Sequence, residues 1–289
     1  MQNFQTFINI LSKGKKIHIC VLDMSGVLST DYTAVSQKNA IHTKAFCDVA
    51  KSTVKGRRLC LKCKTLANNK SVKEKKPFSG YCPWGLYEVA YPVVKGGDVL
   101  AVVYVGNIVT DEKKTKEKIK KACALTEVSE KEIMAHLNEC DRATTVGEAF
   151  QVAEIVGDYL IMLSENVRNP RGGRHWLVGV LKNYADTVAP GEISINSLSG
   201  IYHKNEKYMG RLFKKEMGKS YAEYCNDIRI ERALEFLKNT DAKIIDIALE
   251  CGFNHVSYFN RVFKKKYGVS PTEYRKTVTH FTTTHFSMP

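Results

Sequence analysis

The sequence predicts an α+β N-terminal sensor domain followed by an all-α C-terminal domain with two helix-turn-helix units. Three observations support this. The set Tyr208, Arg211, Phe213, Lys214, Lys215, Gly218, Ser220, Glu223, Tyr224 recurs fifty residues later as Tyr258, Arg261, Phe263, Lys264, Lys265, Gly268, Ser270, Glu273, Tyr274. A basic helix ending at a glycine and repeated at a constant offset is one supersecondary unit used twice. Residues 86–94 and 99–108 are rich in Val and Tyr and flank Lys95-Gly96-Gly97-Asp98, a strong hairpin signal. From Trp176 onward, the hydrophobic pattern is helical throughout.

The elements follow in order. Phe4, Phe7, Ile8 and Leu11 have helical spacing, and residues 15–22 read as a strand closed by the turn Asp23-Met24-Ser25-Gly26. Residues 40–50 and 59–73 read as helices, and the hairpin strands come next. Residues 111–138 are helical and charged; the run Lys113, Lys114, Lys116, Lys118, Lys120, Lys121 is a solvated face. A long helix is expected from Asp141 to Val167. Its Val146, Ala149, Ala153, Val156, Leu160, Leu163 and Val167 alternate spacings of three and four, a heptad seam. The seam either packs on its own domain or pairs two chains as a homodimer that carries state from sensor to reader. Asn169-Pro170-Arg171-Gly172-Gly173-Arg174 then breaks the helix. The expected division is a sensor over residues 1–140, a connecting helix over 141–168, a linker over 169–175, a reading domain over 176–278 and a tail over 279–289.

Composition sets the limits. The 289 residues, 44% hydrophobic and 26% charged, suffice for two domains with real cores. The net charge of +14 favours an anionic partner and splits as +7 over residues 1–170 and +7 over the shorter 171–289. The polar start (Gln2, Asn3, Gln5, Thr6) lacks the apolar run of a signal peptide. The longest apolar stretch, residues 99–109, is about half the ~20 residues a membrane helix needs. Nine cysteines, an odd number, suit reduced thiols. A cytoplasmic protein without a membrane segment is expected. There is no Ser/His/Asp arrangement and no phosphate-binding glycine loop, so no catalysis is expected.

In a helix-turn-helix the second helix enters the major groove while the first props it. The pairs expected here are 195–202 with 205–217, and 244–251 with 255–267. Gly252 supplies positive φ at the second turn; Tyr202-His203-Lys204 has no glycine, so the first turn is longer or strained. A connector of about 17 residues spans ~26 Å, which can set the two recognition helices about one duplex turn apart. Asn205, Lys207 and Arg211 in the first helix, and Asn254, His255, Ser257, Asn260 and Arg261 at the second, are candidates for base contacts. Lys214, Lys215, Lys264 and Lys265 are candidates for phosphate. The alternatives are ion pairs of the two arginines with Glu223 or Glu273, and plain solvation of the lysines.

Residues 177–276 resemble the AraC/XylS-type DNA-binding domain. The resemblance lies in Arg211-Leu-Phe-Lys-Lys-Glu-Met-Gly218, Arg229-Ile-Glu-Arg-Ala233, Ile247-Ala-Leu-Glu-Cys-Gly-Phe253, Tyr258-Phe-Asn-Arg-Val-Phe-Lys264 and Gly268-Val-Ser-Pro-Thr-Glu-Tyr-Arg275. It implies a bacterial transcription regulator whose partners are double-stranded promoter DNA and RNA polymerase. Gly210 stands where the family often offers a base-contacting side chain.

In the N-terminal half, Cys47, Cys60, Cys63 and Cys82 fall within 36 residues. Four thiols could bind Zn²⁺ tetrahedrally or hold an iron–sulfur cluster; they could also pack as small hydrophobes or act as a redox or alkyl-accepting switch. Around Cys82, the residues Phe78, Tyr81, Trp84, Tyr87, Glu88 and Tyr91 would suit a pocket for a small organic effector, or a sheet core. Tyr81-Cys-Pro-Trp-Gly-Leu-Tyr-Glu-Val-Ala-Tyr-Pro-Val-Val-Lys-Gly-Gly97, Val103-Tyr-Val-Gly-Asn107 and the Cys60/Cys63 helix resemble the PocR-type sensory domain over about residues 5–165. That resemblance implies a PAS-related fold sensing a small molecule. Cys82 is followed by Pro83-Trp84-Gly85-Leu86 where that family commonly has His-Ala-Gly-Leu.

Overall fold

The computed structural model describes residues 3–40, 43–166, 175–187 and 194–284. The chain divides into two compact units, Met1–Trp176 with Gly200–His203, and Leu177–Ser199 with Lys204–Pro289.

The first unit is built on a four-stranded antiparallel sheet in the order β1-β4-β3-β2: β1 (His18–Asp23), β2 (Phe78–Tyr81), β3 (Tyr87–Lys95) and β4 (Asp98–Ile108). The Lys95–Asp98 pair closes the β3–β4 hairpin over Gly96 and Gly97, at φ +59° and +85°. Two successive positive φ values are why this turn takes two glycines. β1 ends where the Asp23 carboxylate accepts the N–H groups of Ser25, Gly26, Val27 and Leu28 at 2.7–3.1 Å. β2 was not foreseen: Phe78-Ser79-Gly80-Tyr81 is too short to show alternation, and it is a strand because it pairs with Tyr87–Ala90.

Strand alternation gives the sheet two different faces. On one face, Ile17, Ile19, Val21, Val89, Val93, Ala101, Val103 and Val105 form a core with α1 (Phe4–Ser12) and α7 (Val146–Asn166). On the other lies α4 (Val54–Glu74), preceded by α2 (Gln37–Ala40) and α3 (Ala45–Ala50). A second core joins Phe46, Trp84, Leu86, Ile119, Ile133 and Leu137, and so anchors α5 (Glu112–Thr126) and α6 (Glu130–Ala135).

The long heptad helix needs correction. α7 starts at Val146, and Asp141 is a buried acceptor before it. The Asp141 carboxylate takes the N–H groups of Lys16, Ala143 and Thr144 at 2.9, 3.0 and 2.7 Å. Burial raises this carboxyl's pKa, but those N–H bonds outweigh it and hold it below the usual carboxylate value. Ala149, Ala153, Val156, Leu160 and Leu163 are buried against the unit's own sheet. The seam from Ala149 to Leu163 is therefore filled inside the unit, and α7 belongs to the sensor. Val167 and most of the expected linker lie outside the described residues.

The second unit is all-helical: α8 (Trp176–Thr187), α9 (Ile195–Tyr202), α10 (Glu206–Met217), α11 (Tyr221–Asn239), α12 (Ile244–Glu250), α13 (Val256–Tyr267) and α14 (Pro271–Thr284). α14 opens with Pro271 in its first turn and runs beyond residue 278 into the expected tail. Met209 and Phe213 of α10, and Phe259 and Phe263 of α13, are fully buried at equivalent repeat positions.

Candidate DNA interface and sensor site

Each recognition helix has an apolar stripe inward, a basic face outward and a left-handed glycine, Gly218 or Gly268, at its end. The short helices α9 and α12 precede them. In the second pair Gly252 turns the chain with φ +86°; in the first, His203 takes φ +51°. Of the longer or strained first turn expected from the sequence, the turn is not longer, and the positive φ falls on a residue type that tolerates the left-handed region better than most.

All twelve candidate DNA contacts are exposed: Asn205, Lys207, Arg211, Lys214, Lys215, Asn254, His255, Ser257, Asn260, Arg261, Lys264 and Lys265. They are not equally free. The Asn205 side chain caps α10, accepting the Tyr208 N–H at 3.0 Å, so only its amide N–H₂ remains to donate. His255 is the corresponding N-cap of α13 and makes no such bond. Arg211 and Arg261 form no ion pair among the described residues; Arg261 lies 5.2 Å over the Tyr258 ring. The carboxylates proposed as their partners are engaged elsewhere. Glu223 accepts the Ser220 N–H and hydroxyl, both at 2.8 Å, and Glu273 accepts those of Ser270 at 2.7 and 2.8 Å. These are twin capping boxes, legible as the Ser-x-x-Glu spacing in both copies. The Ser220 bonds hold the Glu223 carboxyl below its usual value, with smaller help from Lys265 and Lys214. One carboxylate thus feels the basic ends of both recognition helices.

In the sensor, strand alternation disperses the aromatic set. Tyr81, Tyr87 and Tyr91 share the α7 face: Tyr81 meets Tyr87 edge-on at 4.9 Å, and the Tyr87 hydroxyl lies 2.9 Å from Ser79 Oγ. Phe78 and Glu88, one residue out of phase, belong to the α4 face. Trp84 belongs to neither. It is buried in the second core, where its indole N–H donates to Cys60 Sγ at 3.2 Å. The six residues do not line one pocket.

What gathers under α4 was missed. Lys64 Nζ lies 3.4 Å from Glu88 Oε1 and 3.2 Å over the Tyr104 ring, and the Tyr104 hydroxyl donates to Asn68 Oδ1. Burial first, then the Glu88 carboxylate, pushes the Tyr104 hydroxyl well up, so it stays a donor. The Lys64 and Glu88 side chains are only 22% and 18% exposed. Gly106 admits Glu88: a Cβ there would sit 3.1 Å from Glu88 Cγ. No local pattern announces it: Lys64 and Asn68 lie on one helix, while Glu88 and Tyr104 come from two strands.

Cys47, Cys60 and Cys82 pack at the edge of the second core. Burial raises all four thiols of the expected cage, Cys47 to about 12 and Cys82 well above the usual value. A nucleophilic thiolate needs the opposite shift. Among the described residues no three His, Cys, Asp or Glu side chains are placed to hold a metal ion. The cysteines as arranged do not fit a cage for Zn²⁺ or an iron–sulfur cluster.

Two exposed basic helices, each paired with a short helix and joined by one connector, define a helix-turn-helix DNA-binding regulator of transcription. Residues 198–277 match the family model of a helix-turn-helix domain, and residues 1–166, more than half the chain, match the sensory domain found in PocR. The chain belongs to the AraC/XylS-type transcription regulators that carry a PocR sensory domain. It is similar to the HTH-type transcriptional regulator YijO of Escherichia coli, 32% identical over 100 residues that cover 35% of each chain. It is also similar to the bifunctional transcriptional activator/DNA repair enzyme AdaA of Bacillus subtilis, 33% identical over 99 residues covering 34% of this chain and 47% of that one. The chain spans less than half the length of these relatives. The C-terminal domain of AraT, a response regulator from Geobacillus stearothermophilus, is a solved structure 30% identical to it, covering 36% of this chain and 87% of that one at a TM-score of 0.34. Among the described residues no helix is long and apolar enough to cross a membrane.

Proposed function

We propose that this protein grips two successive major grooves of promoter DNA with α10 and α13, and that a small effector bound by the N-terminal unit controls the grip. The observation that carries the DNA half is the equivalent placement of Arg211 and Arg261, exposed and without ion pairs among the described residues, on helices whose inward faces are otherwise filled. The connector α11 has 19 residues, about 28 Å of helix, which together with its end turns suits one duplex turn of about 34 Å. In vitro selection followed by hydroxyl-radical footprinting tests it. Two protected windows about one helical turn apart are expected, and a single window of half a turn would refute it.

The effector half rests on the polar group Lys64, Asn68, Glu88 and Tyr104 between α4 and the sheet. An antiparallel sheet with helices on its faces is compatible with a PAS-related sensor, taken here to extend through α7, with the reader over residues 176–278. The pocket we favour uses Phe78 and Glu88 and leaves out Tyr81, Tyr87 and Tyr91. A thermal-shift screen of small diols, aldehydes and sugars tests it. A ligand at 100 times its Kd adds about 2.7 kcal/mol of stability. A hit whose shift survives both Glu88→Gln and Lys64→Met would place the site elsewhere. The thiol switch receives no support from the raised thiols. Such a regulator acts in the cytoplasm, with RNA polymerase as its further partner.

A further inference from the structure

The recognition helices are near-copies, yet two lysines break the repeat. Lys266 in the last turn of α13 answers to Glu216 in α10, and Lys219, just past the end of α10, answers to Val269. Both odd lysines converge on one residue of the connector. Asp227 of α11 pairs with Lys219 through Oδ2 and, through Oδ1, with Lys266 at 3.3 Å. Lys266 also reaches Glu231, one turn further along α11, at 3.5 Å. The other end of α13 is tied to the same stretch. Asn226 Nδ2 donates to the Tyr258 hydroxyl at 2.8 Å, and Arg229, itself over the Phe253 ring, donates to Asn226 Oδ1 at 3.0 Å.

We infer that Asp227 is a spacing lock: it fixes the distance and rotation between the two recognition helices and thereby sets which separation of half-sites the protein accepts. The inference rests on the two-groove reading proposed above. A helix pinned at both ends to a connector cannot roll about its axis to follow a shifted groove. A one-base-pair insertion rotates the second half-site by about 35°, from ~10.2 base pairs per turn, as well as translating it by about 3.4 Å. Asp227 lies on the connector and is not proposed to touch DNA, so it acts by position. Lys266 is held within the protein, which sets it apart from its neighbours Lys264 and Lys265.

The test uses the full-length protein and a duplex selected with the wild type, plus versions with one base pair added or removed between the half-sites. The wild type is expected to prefer the selected spacing. Asp227→Asn should shrink that preference about fivefold, the factor worth about 1 kcal/mol that two partly exposed ion pairs can supply. Asp227→Glu should restore it. Asp227→Asn with unchanged spacing preference overturns the inference, as does a lower melting temperature with preference intact, the mark of a merely structural residue. A wild type indifferent to spacing would instead bring down the two-groove reading beneath it.

Discussion

Arg261→Ala is the sharpest test of how the second head reads sequence. Phe259 and Phe263 are buried on either side of Arg261, so the helix geometry leaves its side chain on the outer face. There it forms no ion pair among the described residues and rests over Tyr258 at 5.2 Å. Truncation removes only this ring contact from the fold, and stability should stay within about 1 kcal/mol of wild type. On the selected site, a bidentate arginine–guanine contact is worth about 1–3 kcal/mol, a loss of about 5- to 160-fold in affinity. The cation–π contact, about 0.5–1 kcal/mol at an exposed site, is also lost in free protein, so the net effect should fall toward the lower half of that range. Anisotropy titrations on the selected duplex, on its single-base variants and on random DNA provide the measurement. Affinity should drop on the selected duplex alone, and discrimination at one base pair should collapse. Parallel weakening on random DNA would mean that Arg261 contacts phosphate and that the base assignment is wrong.

Three further outcomes are expected. Lys265→Ala should weaken all duplexes alike and flatten the salt dependence by about 0.9 in log–log slope; an unchanged slope removes Lys265 from the interface. Ser220→Ala should cost about 1 kcal/mol in denaturant melts, because it opens the capping box of α11. Its partner Glu223, like Glu273, has its carboxyl held below the usual 4.5 by the serine bonds. A depressed folded value means that this stabilisation is complete above the unfolded value and is lost as pH falls through the folded one. Glu223→Gln should therefore be less stable near neutrality and lose less on acidification below about pH 4.5; an acid limb identical to wild type refutes the cap. Finally, Cys47, pushed up to about 12, and Cys82 should resist alkylation at pH 8 in native protein and react once it is denatured. Rapid native labelling seen by mass spectrometry would revive a reactive-thiol sensor.

The reading half was legible because its determinants are local. A helix that buries Phe213 and ends at Gly218 repeats as one that buries Phe263 and ends at Gly268, and a repeat preserves both without help from the rest of the chain. Exposure of all twelve candidate contacts follows from the same periodicity. What the repeat conceals is where its copies differ. Lys219 and Lys266 read as two more basic residues in a basic protein; only the fold brings Asp227 between them.

The sensor was harder to read because its site depends on phase. Tyr81, Trp84, Tyr87, Glu88 and Tyr91 are neighbours in sequence, and nearness in sequence suggested a common pocket. In a strand, each step of one residue changes face, so Tyr87 and Tyr91 turn to the α7 side while Glu88 turns to α4. Trp84 lies in the loop before β3 and takes neither side. The heptad helix misled for a related reason. Spacings of three and four describe any helix with one apolar stripe, and they do not say whether a second chain or the molecule's own sheet covers it. Ala149, Ala153, Val156, Leu160 and Leu163 are covered by the sheet. A polar group under α4 had no such periodic signature: Lys64 and Asn68 come from a helix, Glu88 and Tyr104 from two strands, and their meeting is set by the β3–β4 register. The paired glycines of the hairpin turn start that register, and a one-residue shift between Val93 and Val94, which no turn residue announces, completes it before the site.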